Sequence, residues 1–213
     1  MMSRRHTAGG AVLFLHSRHT ERFAGYLALT SLAAIVVGGN LVGLPALTGG
    51  SGVQAPAELL LPVLTGCIVA VGTASPADDL EAIGAVNLSP ARLLHVCVLL
   101  GTAAVVFVAG AMLNPSFELA RTVRNACGYI AFGLLGATAI GSMLGSLLPL
   151  AYLALVAQLG VDADGLPRSW AWPLQPASSV ASWCWNVGLL AAGIAAYSLL
   201  GVRSRTSENP NFQ

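Results

Sequence analysis

The chain alternates long apolar runs with short polar connections, and the length of the runs sets the first expectation. About 20 consecutive apolar residues make a helix that crosses the roughly 30 Å hydrocarbon core of a bilayer. Runs of that kind predict spans over about 23–44, 59–74, 92–113, 123–141, 144–159 and 180–200. The fourth and fifth come from one apolar stretch, 126–160. As a single helix it would be roughly 50 Å long at about 1.5 Å per residue, so it must fold back. The sequence GSMLGS, Gly141 to Ser146, is the expected hinge.

The connection between the second and third runs, Ser75 to Pro90 (SPADDLEAIGAVNLSP), is polar at both ends and carries three carboxylates. Ser75 reads as an N-cap and Pro76 as the first helical position, with Asp78 placed to close a capping box. Asp79 and Glu81 stand where the helix dipole favours negative charge, and Gly84 is a natural stop. The result is a two-turn acidic helix with Leu80 and Ile83 on one side. A second Ser-Pro start at Ser89 and Pro90 opens the next run. A short helix across the ends of two spans is a docking feature, although a polar connection also needs its own backbone satisfied and forms capped turns for that reason alone.

Elsewhere the connections are plainer. The first 22 residues hold Arg4, Arg5, Arg18 and Arg22 around a short apolar patch, 11–15, which is too short for a signal peptide core and reads as an interfacial helix. The loop LPALTGGSGVQAPAE after the first run is Gly-, Pro- and Ser-rich with few charges. Residues 161–179 carry Trp170 and Trp172 and three prolines, which fits a segment folded against the membrane surface with its indoles at headgroup level. Residues 207–213 read as a tag remnant or disordered tail outside the single transmembrane domain, 1–206.

Composition turns these runs into a membrane protein. Hydrophobic residues make up 55% and charged residues 9%, with mean hydropathy +0.74, against roughly 25% charged in soluble domains. The fold class is therefore all-α integral membrane, with six transmembrane helices, an N-terminal interfacial helix and a short acidic helix between spans two and three. All ten basic residues are arginine. With no lysine, the chain holds neither a phosphate-binding loop of the GxxxxGK[ST] type nor Schiff-base chemistry. Seven arginines (4, 5, 18, 22, 92, 203, 205) fall on the face holding both termini and the acidic loop, and three (121, 124, 168) on the other. That excess places both termini and Ser75–Pro90 in the cytoplasm. The all-arginine, Ala- and Gly-rich composition suits a bacterial plasma membrane.

The runs lack the groups that intramembrane chemistry needs. No Asp or Glu falls in a span core, and His95 is the only histidine near one, so no catalytic, metal or cofactor constellation is expected. The four cysteines (67, 97, 127, 184) are far apart and read as packing residues, with Cys127 and Cys184 the one pair that could meet on the same side. Small residues four apart, Gly141 with Gly145, Gly188 with Ala192 and Ala192 with Ala196, allow close helix approach but are also expected by chance in a chain with 24 glycines. Asn40, Thr65, Gln158 and Asn186 could line a substrate path, but such residues more often make helix–helix hydrogen bonds.

The order of these features, with the wording SPADDLEAIGAVNLSPARLLH, RNACGYIAFGLLG and WAWPLQP, resembles the permease subunits of ABC-2 type transporters, short actinobacterial ones in particular. The resemblance covers about 11–205. It implies that Ser75, Pro76, Asp78, Asp79, Leu80, Glu81, Ile83 and Gly84 form a coupling helix seated in a separate ATP-binding cassette subunit. That partner would bind ATP and Mg, this chain would bind no cofactor, and a second permease copy or a homologous one would pair with it in the lipid. The implied activity is export of a hydrophobic or amphipathic small molecule or peptide; no enzymatic activity of the chain itself and no nucleic-acid partner is expected. Two other readings fit the same runs: a substrate-binding subunit of an energy-coupling uptake system, and a non-transporting membrane scaffold.

Overall fold

The computed structural model describes residues 15–16, 18–37, 41–44, 53–56, 59–74, 88–114, 117–162 and 164–202. Its helices, in chain order, are α1 (Thr20–Val37), α2 (Leu60–Gly72), α3 (Ser89–Leu113), α4 (Leu119–Ile140), α5 (Ser142–Gly145), α6 (Leu147–Leu159) and α7 (Val180–Leu200). Among the described residues, four helical stretches are long and apolar enough to cross a membrane: α3, α4, the joined α5–α6 over Ser142–Leu159, and α7. α2 is apolar but only 13 residues long. The protein is therefore a helical one of membrane-spanning character.

Helix ends fall where the local chemistry sets them. Pro90 sits in the first turn of α3, where its missing N–H costs nothing, and α3 stops at Asn114, whose backbone is extended at φ −130°, ψ 104°. The Ser179 side chain accepts the Ser182 N–H at the start of α7. Gly141, at φ 89°, breaks the long apolar stretch after α4, and the short α5 turns the chain back into α6. A side chain at Gly141 would be strained there, so the hinge expected at Gly141–Ser146 forms because glycine tolerates a positive φ.

One boundary is corrected. The first apolar run does not stay helical to 44: α1 ends at Val37, and Leu41–Leu44 (β1) pairs antiparallel with Val53–Pro56 (β2) in register Leu41↔Pro56 to Leu44↔Val53. Two glycines follow Val37 in the sequence, and glycine is among the poorest helix formers.

α4 is the most enclosed of the four membrane-type helices, and it packs chiefly on α2 and α7. Small residues make that position possible. A Cβ on Gly133 would lie 2.5 Å from the Gly66 carbonyl oxygen of α2, and one on Gly66 2.6 Å from the Tyr129 carbonyl oxygen, so the two backbones cross in direct contact. Gly193 of α7 faces Ala131 of α4, its would-be Cβ 3.2 Å from the Ala131 carbonyl oxygen. Where lipid tails compete for apolar surface, this backbone proximity supplies the packing that favours association. Gly145 does serve as a contact, packed on Gly136 of α4, whereas a Cβ on Gly188 would meet nothing within 4 Å. α1 lies on α3 and α2, and its Leu27 joins Val69, Val96, Leu99, Phe107, Ile130 and Leu134 in the main core.

Contacts between helix termini fix the two ends of the bundle. Arg18, just before α1, reaches the last turn of α2 and Tyr197 in the last turns of α7, and His95 in the first turns of α3 meets the same Tyr197. At the opposite end, Arg124 near the start of α4 reaches the segment between α6 and α7. The helices thus alternate in direction.

Candidate functional site

The residues expected to dock a partner, Ser75, Pro76, Asp78, Asp79, Leu80, Glu81, Ile83 and Gly84, lie outside the described residues, as do the interfacial 1–14, Asn40, and the tail 207–213. What is described is the pair of stalks on either side of 75–87, and they are tied into the bundle by a buried polar cluster. An Arg18 Nη1 donates to the Thr73 carbonyl at the end of α2 and, at 3.2 Å, to the Tyr197 hydroxyl. Tyr197 Oη also lies 3.3 Å from His95 Nδ1. Arg92 packs its guanidinium against Gly201, where a Cβ would come within 2.6 Å of it. Arg18, Thr73, His95 and Tyr197 are all nearly or fully buried. Four helix ends therefore meet at one cluster.

At the other end stands a second construction. Arg124 is fully buried, and its guanidinium donates to the carbonyls of Trp172 (2.9 Å), Gln175 (2.9 Å) and Pro176 (2.6 Å) and to Asn125 Oδ1 (3.0 Å). The planar five-donor fork makes this possible: it collects several oxygens that a turn of backbone leaves pointing inward. The rest of the segment closes on itself. Asp162 Oδ1 accepts from the backbone N–H groups of Asp164 and Leu166, Gln175 Nε2 donates to the carbonyls of Pro167 and Arg168, and the Trp183 indole donates to Ala177.

This anchoring corrects the expectation that both indoles of 161–179 lie at a surface. Trp172 is 2% exposed and forms a 3₁₀ turn with Pro173 and Leu174 beneath the segment. Its ring stands edge-on to Tyr129 at 4.8 Å and stacks on Tyr152 of α6 at 5.2 Å and 18°. Phe132 extends the cluster, 4.9 Å from Tyr152. The Tyr152 hydroxyl donates to the Trp170 carbonyl at 2.5 Å. Gly128 lets Trp172 in: a Cβ there would meet the indole at 2.6 Å and collide with Asn186 Oδ1. Beside these rings a cleft of about 460 Å³ opens between α4, α6, the anchored segment and the start of α7, lined by Tyr152, Trp170, Trp172 and Trp185 together with Ser169 and Ser182.

Two expectations are decided by this geometry. Thr65 and the Asn186 amide each bond the carbonyl four residues earlier in their own helix, Leu61 and Ser182, and not a neighbouring helix. Cys127 and Cys184 are both free thiols. Among the described residues no group of three His, Cys, Asp or Glu could hold a metal ion. Sequence reasoning placed Arg18, His95 and Arg124 at polar boundaries and missed their burial. The one available signal was the spacing of Arg124 and Asn125 ahead of a glycine-rich apolar run, since a buried guanidinium must have oxygens nearby.

No family model, curated protein or solved structure matches the chain.

Proposed function

We propose that the chain is the membrane-spanning permease subunit of an ATP-driven exporter of the ABC-2 kind, with six spans, in a bacterial plasma membrane. Both termini and the acidic segment face the cytoplasm, and the cargo is a hydrophobic or amphipathic small molecule or peptide. A separate ATP-binding cassette subunit binds ATP and Mg, and a second permease copy or homologue completes the path. The observation that carries this reading is the buried cluster at the stalks of 75–87. Thr73 precedes that segment by two residues and His95 follows it by eight, and Arg18 and Tyr197 join both stalks to α1 and α7. A push on the segment is therefore shared by four helices at once and can tilt the bundle, the behaviour required of a passive conduit driven by partners that close on ATP. The alternation of helices puts the start of α1 with Arg18 and Arg22, the start of α3 with Arg92 and the end of α7 at one end, and the excess that orients this end inward is that of the sequence, seven arginines (4, 5, 18, 22, 92, 203, 205) against three (121, 124, 168).

Replacing Asp79 and Glu81 together by arginine tests the proposal. The expected result is loss of co-purification with the ATP-binding subunit and of stimulated ATP hydrolysis, with the permease still in the membrane; unchanged coupling refutes it. One observation favours the uptake reading: the aromatic cleft lies at the end away from 75–87, where a captured substrate would arrive from outside. Ligand retained by the isolated chain through purification would select that reading over export.

A further inference from the structure

We propose that the cleft beside Trp172 is a binding site for a flat, uncharged aromatic molecule bearing a single hydroxyl or similar acceptor at one edge. The inference concerns the chain alone and holds whichever way transport runs.

Shape gives the first argument. At about 460 Å³ the cleft has the size of ordinary small-molecule sites, and like them it is mostly apolar with a few polar groups at its edge. Most of its lining is aromatic: Phe132, Tyr152, Trp170, Trp172 and Trp185. Tyr152 stacks on Trp172 and meets Trp170 edge-on at 6.4 Å, while Trp170 and Trp185 remain 36% and 61% exposed. Flat rings are the complement to such walls, because offset-stacked and edge-to-face pairs gain energy beyond the area they bury.

Rigidity gives the second. Trp172 is held by the Arg124 fork through its own carbonyl, Trp170 by the Tyr152 hydroxyl, and Trp172 is closed in from behind by Tyr129. A site whose walls are already fixed loses little entropy when filled.

Charge and hydrogen bonding select the ligand. Among the described residues the cleft is lined by no carboxylate that would balance a cation, and the nearby Arg124 guanidinium, bonded to the Trp172 carbonyl, adds a positive charge to the same segment. The guanidinium is committed to backbone and amide oxygens and offers an anion nothing. Ser182 is buried in the cleft lining; its hydroxyl accepts from Ser179 Oγ at 3.1 Å, which leaves its own proton to donate.

All four tryptophans of the chain, at 170, 172, 183 and 185, lie at this end, so intrinsic fluorescence reports on it directly. The purified full-length chain in lipid nanodiscs is titrated with 2-naphthol, 2-naphthyltrimethylammonium and dodecanol, each against empty nanodiscs. Saturable quenching by 2-naphthol alone is expected. Ala181→Phe, which fills the cleft from an exposed position, should weaken it by about tenfold or more, and Trp185→Ala by about three- to tenfold. Both variants are first checked for unchanged helicity and a single gel-filtration peak, and Trp183→Phe, outside the cleft lining, serves as a variant that should bind as the parent does. Quenching no greater than in empty nanodiscs, equal affinity in the cleft variants, or equal binding of the ammonium or the alkanol would each overturn the proposal.

Discussion

Replacing Arg124 by methionine removes the charge and the fork while keeping an unbranched stem of similar length. The parent guanidinium makes bonds of 2.6–3.0 Å to three backbone carbonyls and to Asn125, and a hydrogen bond to a charged donor contributes about 1.5–3 kcal/mol net. The carbonyls of Trp172, Gln175 and Pro176 would then be left inside with no donor, at about 1–3 kcal/mol each if they stay buried. These terms do not add, because the 172–176 turn would open to water before paying all of them, so the expected loss is that of one or two stranded carbonyls, about 2–4 kcal/mol. Arg124→Lys keeps the charge but not the planar fork and should recover only part of it. Unfolding in detergent by added denaturing surfactant, followed through tryptophan fluorescence, measures the loss, and limited proteolysis should cut Met variants between 161 and 179 where the parent resists. A stability within about 1 kcal/mol of the parent would refute the argument that this arginine holds the segment in place.

Other positions make sharper contrasts. Gly128→Ala places a methyl against the Trp172 indole and Asn186 Oδ1 and should cost about 1–3 kcal/mol or more, seen as a lower midpoint of thermal unfolding in detergent. Gly188→Ala meets nothing within 4 Å and should leave that midpoint unchanged or raise it, since alanine favours a helix by about 1 kcal/mol over glycine. Tyr197→Phe deletes the hydroxyl shared by Arg18 and His95; a loss of about 1–3 kcal/mol is expected for the partners left buried. In the assembled transporter the same change should lower transport per ATP hydrolysed if the cluster transmits motion.

Several elements were legible in the residues because they depend on local chemistry. The apolar runs near 92–113, 123–141, 144–159 and 180–200 reappear as Ser89–Leu113, Leu119–Ile140, Ser142–Leu159 and Val180–Leu200, and the run at 59–74 as Leu60–Gly72. Pro90 and Gly141 mark a start and a break that any context would respect, one by its absent N–H and the other by its positive φ. The first run was misjudged at its end because Leu41–Leu44 is apolar enough for a helix and was claimed by a strand partner at Val53–Pro56, a pairing that hydropathy does not encode. Trp172 was misjudged for a similar reason. Indoles are at home both at headgroup level and in a core, and the choice fell to Gly128, more than 40 residues away, which leaves room for the ring.

What the sequence alone determined is a set of lengths and interruptions: the apolar stretches that become α2, α3, α4, α5–α6 and α7, the start at Pro90 and the break at Gly141, and the lack of lysine in the chain and of Asp or Glu in the interiors of those stretches. A bilayer or an apolar interior imposes those requirements residue by residue, since each segment must satisfy its own backbone. The tertiary structure alone decided which helix lies innermost, that Arg18, His95 and Arg124 are enclosed among carbonyls and hydroxyls, and that five aromatic rings converge on one cleft. Those outcomes depend on which faces meet, and the faces are chosen by small-residue contacts such as Gly66 with Gly133 that only a pair of helices can form.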